Sequence, residues 1–396
     1  MRRGIPACML LCLALTSAAA VDAAEHAEDH RAWQHGVDLL RVGGKLLVVW
    51  GSAGNPPRPN PGGDWQHDVY YAWLDNEAAA IVPQVLVARP EAQEPPSVAI
   101  NASGTILVTA EDGNGGINQH AGLWDSSLRV LREYPLTIRR GGHSGHVAAM
   151  HDRFLITYSE GWVEGGGFLD RGTGKDIYAR VVENDGTRKH EIRIAVDDDR
   201  RHRDGWPLVA GSDRNWLVIW QRYPELSLQA ALISAAGSVV ARRRISDGMP
   251  LRYAYDVAFA PALQFYVVAG SSGDGGFVAL VSLTGEIIRT QHGLPPMASE
   301  SRIVLDWDGT HLTGVYPIRP RGIAVVRISA ARVDLVEVID HPYAWDYTGT
   351  TGTFVARDRV LFATLSTTGL KLIAVDLPSR QLPVKNYLPA ARASAQ

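Results

Sequence analysis

The sequence predicts an all-β fold, a seven-bladed β-propeller of four-stranded antiparallel blades. Beyond the N-terminal residues, no segment of the 396-residue chain shows sustained helical periodicity. Short β-branched and aromatic runs alternate with turns rich in Gly, Asn and Asp, which is typical of many short strands. The same strand pattern also recurs seven times along the chain, and such a repeat indicates a propeller.

The first half of each repeat is a pair of strands joined by a turn. Its clearest copy has a short first strand at residues 207–210 and a second strand at residues 216–220. The other copies are 39–40 with 46–50, 97–99 with 106–109, 147–148 with 154–158, 257–258 with 265–268, and two looser ones, 303–304 with 312–315 and 355–356 with 360–362.

The second half of each repeat adds a third strand, which carries one alanine in register, and a fourth β-prone run. The alanines are Ala72, Ala121, Ala179, Ala230, Ala279, Ala324 and Ala374. Their spacings run from 45 to 58 residues, and runs such as 82–88, 191–196 and 239–245 supply the fourth strands. Seven units of this length, each of four strands, predict seven propeller blades.

The N-terminal residues have the three-part pattern of a secretory signal peptide. Arg2 and Arg3 precede an apolar run at 5–15, and small residues follow at 17–20. We expect a signal peptide at 1–23 with cleavage near 20–23, a single propeller domain at 24–388 and a disordered tail at 389–396. The apolar run is too short to cross a bilayer, so the prediction is an exported protein, periplasmic or extracellular, with no membrane span.

The composition limits the partners that the protein can take. Its formal net charge is −3, and losing Arg2 and Arg3 with the signal peptide makes it more negative. That balance argues against a nucleic-acid binder. Both cysteines, Cys8 and Cys12, lie in the signal segment, so the exported chain is held together by packing alone. We expect a monomer.

Two phrases within the repeats resemble those of exported bacterial propeller proteins. They are Asp-Ile-Tyr-Ala-Arg-Val at 176–181 and Trp-Leu-Val-Ile-Trp-Gln at 216–221, and in those proteins "DIYARV" and "LVVW" elements recur in each blade. The resemblance covers most of the chain as a pattern. It implies the fold, and many functions are known on this fold.

The predicted topology assigns loops to faces. In an up-and-down blade, the connection into the first strand and the loop between strands two and three lie on one face. We call this the loop-rich face, because it receives the insertions at 51–66 and 160–175 together with His143 and His146. His151 falls in the turn at the opposite end of its strand. Loops on a rigid scaffold commonly carry function.

Polar residues recur at one level near the predicted mouth of the central channel. Aligning the blades places His146 level with Asp38, Ser97, Leu208, Asp256 and, in a looser register, Arg302. Two interpretations stay open at this point. These residues either face a ligand, or they solvate the mouth and pair with one another.

The enzyme hypothesis is a polysaccharide lyase that cleaves a uronate by β-elimination. This reaction needs a group that neutralises the carboxylate, a base for the C5 proton and an acid for the leaving oxygen. The candidate catalytic residues are His143 or His146 as base, Tyr223, Tyr253 or Tyr178 as acid, and Arg222 or Arg252 as neutraliser. Candidates for binding the acidic poly- or oligosaccharide are His120, Tyr178, Arg252, Tyr255, Asp256, Trp206 and Arg302. The architecture, with His, Tyr and Arg on one face, is similar to that of seven-bladed ulvan lyases, which implies a class of chemistry.

The alternative is a non-catalytic propeller of the bacterial envelope that binds a ligand or an envelope protein. No cofactor is predicted. A divalent metal at His143 and His146 would need a third ligand from a neighbouring blade, for which His120 is the best candidate. A serine nucleophile elbow is not expected, because the motif Gly-His-Ser-Gly-His at 142–146 lacks the required glycine spacing and opens a strand.

Overall fold

A computed structural model describes residues 34–54, 67–74, 81–90, 92–113, 117–160, 176–196, 202–250, 253–273, 275–345, 349–366 and 369–377. The predicted signal peptide, the predicted disordered tail, most of the insertions at 51–66 and 160–175, and Arg252 lie outside these residues. Within them every regular element is a β-strand, and no helix is present that is long and apolar enough to cross a membrane.

The strands follow one another along the chain in groups that each form a separate sheet. Blade one contains β1 (Gln34–Val42), β2 (Lys45–Ser52), β3 (Asp68–Leu74) and β4 (Gln84–Val87). Blade two contains β5 (Gln93–Ile100), β6 (Ile106–Asp112), β7 (Asn118–Trp124) and β8 (Val130–Arg140). Blade three contains β9 (Gly142–Met150), β10 (Arg153–Glu160), β11 (Ile177–Glu183) and β12 (Arg188–Ala195). Blade four contains β13 (Arg203–Gly211), β14 (Asn215–Tyr223), β15 (Ser227–Ser234) and β16 (Val239–Ser246).

The remaining three blades repeat this arrangement. Blade five contains β17 (Tyr255–Ala260), β18 (Phe265–Ser272), β19 (Gly275–Ser282) and β20 (Ile287–Leu294). Blade six contains β21 (Val304–Trp307), β22 (Leu312–Pro317), β23 (Arg321–Ile328) and β24 (Val333–Ala344). Blade seven contains β25 (Thr350–Ala356), β26 (Arg359–Ser366) and β27 (Gly369–Asp376).

Each sheet pairs its strands in chain order and antiparallel, so the predicted seven-bladed β-propeller is confirmed. Six blades have four strands, and blade seven has three among the described residues, which end at Leu377. No chain crossover links two sheets of the described strands. The order therefore matches that of up-and-down blades.

The hydrophobic core is divided into seven clusters, one between each pair of neighbouring blades. Because each second strand is covered on both sides, it is a continuous apolar run rather than an alternating one. In β2, for example, Leu46 and Val48 pack towards Leu361 and Ala363 of blade seven. This contact between the first and last blades closes the ring.

The alanines predicted on the third strands occupy those strands in all seven blades. The six in blades one to six are at most 1% exposed, since small side chains let adjacent blades pack closely there. Ala374 of blade seven differs, because it is exposed on β27.

The hairpin turns fix which side chains reach the loop-rich face. His151 lies in the turn between β9 and β10, with φ of 52°, and its Nε2 contacts the Asp213 carbonyl oxygen at 2.6 Å. That turn is at the opposite end of β9 from His143 and His146, as the repeat predicted.

Candidate functional site

A pocket lies at the centre of the ring, and every blade contributes to it at or just before its first strand. Its empty volume is about 610 Å³, including the open solvent at its mouth. The lining residues are His35, Gly36 and Val37 of blade one, Pro95 and Pro96 of blade two, Ser144 and His146 of blade three, Leu208 of blade four, Tyr253 and Tyr255 of blade five, Glu300, Ser301 and Arg302 of blade six and Gly349 of blade seven.

The polar residues level with His146 form hydrogen bonds from one blade to the next. Asp38 accepts hydrogen bonds from the Ser97 hydroxyl, at 3.2 Å, and the Val98 amide, at 3.1 Å. The Ser97 Oγ in turn accepts the Val147 amide at 3.3 Å. Part of this ring therefore pairs internally, as one of the two interpretations held, and fixes the first strands around the axis.

Arg302 combines a structural contact with exposure to the pocket. Its Nη1 donates to Asp256 Oδ1 at 2.9 Å, and the other oxygen of Asp256 accepts the Ile303 amide at 2.9 Å. Burial acts to lower the pKa of Arg302, but the charges of Asp256, Asp38 and Glu300 raise it above its ordinary value. Within the described part of the chain, Asp256 is the only hydrogen-bond acceptor of this guanidinium. Its remaining N–H groups are thus available to a ligand.

His146 is half-buried on the pocket wall, and its Nδ1 lies 3.2 Å from the Ser144 carbonyl oxygen. Burial, together with the charge of Arg302, lowers the pKa of His146 to about 3. The imidazole is therefore neutral at physiological pH, and backbone carbonyl oxygens of Ser144 and Pro207 lie within hydrogen-bond reach of its ring.

An aromatic cluster borders the pocket in blades four and five. The ring of Trp206 lies 4.0 Å from that of Tyr253 and 5.6 Å, edge-on, from that of Tyr223, measured between centroids. Trp206 adopts φ of 57° at a bulge in β13, and its carbonyl oxygen accepts a hydrogen bond from the Tyr255 hydroxyl at 2.7 Å. Tyr253 and Tyr255 thus form the pocket wall, with Trp206 and Tyr223 behind Tyr253.

A cluster of three ionisable or hydroxyl side chains stands where blade two meets blade three. His143 Nδ1 lies 2.8 Å from Ser144 Oγ and 3.8 Å from Glu111 Oε1. Glu111 also accepts a hydrogen bond from the Ser144 amide. Burial raises the pKa of Glu111 to about 7, and the Ser144 amide opposes that change. His143 itself is only 4% exposed, so Ser144 is the member of the cluster that reaches the pocket.

A second charged group, which the sequence pattern did not predict, surrounds His35. Its Nδ1 lies 3.4 Å from Glu94 Oε2, and its Nε2 lies 4.0 Å from Glu300 Oε2. His67, which is fully buried, also contacts Glu94. These residues come from three blades and share no local motif. One feature could have pointed to this group: Glu94 on β5 pairs directly with Glu111 on β6, so two carboxylates lie side by side in one hairpin.

Three of the predicted site residues lie away from the pocket. Arg222 forms two hydrogen bonds of 2.8 Å with Asp204, a fully buried carboxylate of the adjacent strand. His120 and Tyr178 are on third strands, roughly 10 Å from the first strands because neighbouring strands are about 4.8 Å apart.

His120 and Tyr178 contact side chains of their own blades, and Tyr178 also contacts Arg139 of blade two. His120 meets Tyr134 edge-on at 5.8 Å, and burial lowers its pKa. Tyr178 stacks on Tyr158 at 6.4 Å, and the Arg139 guanidinium lies 4.6 Å above its ring. No group of three or more His, Cys, Asp or Glu side chains among the described residues is arranged to hold a metal ion. His120 is accordingly not brought together with His143 and His146 as a metal ligand.

No family model and no curated protein matches the sequence. Solved structures do match the fold. A protein of unknown function from Dyadobacter fermentans is 11% identical with a TM-score of 0.53, over 89% of this chain and 96% of that one. A chain of a mitotic checkpoint complex is 9% identical with a TM-score of 0.52, over 88% of each chain. The Hadza microbial sialidase is 12% identical with a TM-score of 0.49, over 88% of this chain and 66% of that one. At these identities the likeness shows the propeller fold alone.

Proposed function

We propose that the pocket at the centre of the ring binds an acidic carbohydrate and that the protein cleaves a uronate there by β-elimination. The observation that carries this proposal is the convergence of Arg302, His146, Tyr253 and Tyr255 on one pocket from three different blades. A guanidinium suits a carboxylate, and tyrosine rings suit the faces of sugars.

Each step of the elimination has a candidate group in the pocket. The N–H groups of Arg302 that Asp256 leaves open bind the uronate carboxylate and stabilise the charge that develops on it. His146, in its neutral form, accepts the C5 proton. The C4–O bond then breaks as the C4–C5 double bond forms, and the Tyr253 hydroxyl gives its proton to the leaving oxygen.

This assignment selects among the alternatives that the sequence left open. Arg302 is preferred to Arg222 as neutraliser, because the charge of Arg222 already compensates buried Asp204. Tyr253 is preferred to Tyr223 and Tyr178 as acid, because it lines the pocket. Arg252 lies outside the described residues and has no role in the proposal.

A second candidate is a non-catalytic propeller that binds a carbohydrate or an envelope protein. Two observations favour it. With a pKa near 3, His146 is a weak base. The charge of Arg302 is also offset by Asp256 and opposed by Glu300, so the pocket is not strongly attractive to anions.

For either candidate we propose export to the periplasm or the cell exterior, which is supported by the composition of residues 1–23.

The test incubates the purified protein with a panel of uronate polysaccharides and follows the ultraviolet absorbance of unsaturated products. We expect product with at least one polymer, and a loss of roughly 100-fold or more in His146→Gln and Arg302→Ala. Arg321→Ala, at an exposed arginine of β23, is the matched control and should keep the wild-type rate. A flat trace with every polymer would exclude the lyase, and calorimetric binding of the same polymers would then support the non-catalytic candidate.

A further inference from the structure

Ser144 carries a hydroxyl that the proposed elimination does not use. It lies on the pocket wall at the start of β9, and its Oγ is 2.8 Å from Nδ1 of His143. Its backbone has φ of 53°, in the left-handed region that side chains other than glycine seldom adopt. Strained residues of this kind concentrate at functional sites, and a serine next to a histidine has a base within reach.

Glu111, on β6 of the neighbouring blade, completes the group. It accepts the Ser144 amide hydrogen, which holds the serine backbone in its strained conformation. Its carboxylate also lies 3.8 Å from His143 Nδ1, close enough to stabilise an imidazolium there. A carboxylate performs this electrostatic task in serine hydrolases.

The motif around Ser144 is fixed by contact with Gln119, a fully buried residue of β7. A Cβ added at Gly145 would lie 2.1 Å from the end of the Gln119 side chain, so any larger residue at this position would have to displace that buried amide group. The pairing of β9 with β10 is also irregular here, between Thr157 and Ser159. The irregular part of the strand is thus the part that places Ser144 on the pocket wall.

We propose that Ser144 is the nucleophile of a second activity, the hydrolysis of a carboxylic ester on a ligand held in the central pocket. This inference goes beyond β-elimination and shares only the pocket with it. Ser144 Oγ attacks the ester carbonyl carbon while its proton moves to His143 Nδ1. The carbon–oxygen bond to the alcohol breaks, and the alcohol oxygen takes that proton. Water then attacks the acyl-serine, giving its proton to His143, and the carboxylic acid leaves as Ser144 regains its hydrogen.

The arrangement differs from that of a serine protease triad in one respect. Ser144 and Glu111 both face Nδ1 of His143, whereas in the triad they face opposite ring nitrogens. A hydroxyl that donates to Nδ1 requires the ring proton to be on Nε2. Glu111 is therefore a positioning residue, acting on His143 through its charge and on Ser144 through the backbone.

The experiment uses the full chain, a fluorophosphonate probe and p-nitrophenyl acetate, so the natural ligand need not be known. We expect one probe molecule per chain, located on the peptide with Ser144 by mass spectrometry, and hydrolysis of the acetate above background. Ser144→Ala and His143→Ala should each lower the rate of probe labelling and the rate of acetate hydrolysis by roughly 100-fold or more. Ser144→Gly, which tolerates the positive φ, should lose the label while keeping the melting temperature.

Ser299→Ala is the matched control, since Ser299 is 6% exposed against 7% for Ser144 and has no histidine contact among the described residues. It should label and hydrolyse as the wild type does. The absence of label, or equal labelling of wild type and Ser144→Gly, would overturn the proposal. Its failure is distinguishable from that of the lyase, because the probe label is read on the peptide with Ser144 and the lyase is read by the absorbance of unsaturated product, so either signal can appear in the wild type without the other.

Discussion

Asp256 in blade five binds Arg302 in blade six, with Oδ1 and Nη1 separated by 2.9 Å. The same carboxylate accepts the Ile303 amide, so it ties the start of one blade to the next while it orients a pocket guanidinium. Asp38 makes the equivalent backbone contact with Val98 between blades one and two. One repeated position therefore serves the closure of the ring and, in blade six, the chemistry of the pocket.

Removing the charge of Asp256 should destabilise the protein. Asp256→Asn keeps one acceptor oxygen but leaves the charge of Arg302 opposed only by the more distant carboxylates. We expect a loss of about 3 kcal/mol in the free energy of unfolding, since removing one partner of a buried ion pair leaves the other charge uncompensated. Urea denaturation followed by tryptophan fluorescence measures it.

The control for this prediction is Asp376→Asn. Asp376 pairs with Arg359 at 3.4 Å, and the two side chains are 83% and 52% exposed. Its loss should change stability by less than about 0.5 kcal/mol. Equal losses of stability in Asp256→Asn and Asp376→Asn would show that the buried Asp256 pair contributes no more to folding than an exposed pair.

Glu111 should make stability fall as the pH rises. Its pKa is about 7 in the folded chain against an ordinary value of 4.5, so the folded state holds its proton more tightly. The stabilisation is complete below pH 4.5 and is lost as the pH passes 7. Glu111→Gln removes this dependence, so relative to wild type it should be more stable by about 3 kcal/mol at pH 8 and nearly unchanged at pH 4.5. Thermal unfolding across this pH range measures the difference.

Glu286→Gln is the control for the pH series, because Glu286 is 65% exposed. Its difference from wild type should stay within about 0.5 kcal/mol at every pH. A Glu111→Gln difference that does not grow between pH 4.5 and 8 would contradict the raised pKa.

The two tyrosines beside Trp206 should differ in their importance for elimination. Tyr253 lines the pocket, whereas Tyr223 packs behind it against the edge of Trp206. Tyr253→Phe removes the proposed proton donor and should lower the rate of product formation by roughly 100-fold. Tyr223→Phe should keep that rate within about threefold, since both variants retain their rings and Tyr223 does not reach the ligand. Equal rates would remove Tyr253 from the mechanism.

Most of the fold was predictable because a propeller repeats its physical constraints in every blade. Second strands enclosed between two blades must be continuously apolar, and third strands need a small residue where blades approach. The level of His146, Asp256 and Arg302 at the channel mouth followed from aligning these strands. Ala374 shows the limit of the pattern. It lies on the third strand as predicted, but its side chain is exposed and not packed between two blades.

The details of the site were less predictable because the strands are irregular near the loop-rich face. Register shifts occur between His35 and Val37, and between Glu94 and Ser97. Each shift changes which side chain faces the axis, so extrapolating from the regular half of a strand does not identify His35 or Glu94. Arg222 was selected for its loop position, but its partner Asp204 lies opposite it on the neighbouring strand.

Arg222 should prove structural, and a double-mutant cycle can separate this role from catalysis. Arg222→Ala leaves Asp204 fully buried with its charge opposed mainly by the Trp220 N–H, which donates to it at 2.7 Å. We expect a loss of about 3–5 kcal/mol in the free energy of unfolding, and the further change Asp204→Ala should cost much less than it does alone. Per folded molecule, elimination by Arg222→Ala should match the wild type, whereas Arg302→Ala should fall by roughly 100-fold. Additive losses of stability would contradict the coupling of Arg222 to Asp204. A specific loss of turnover in Arg222→Ala would place Arg222 at the ligand.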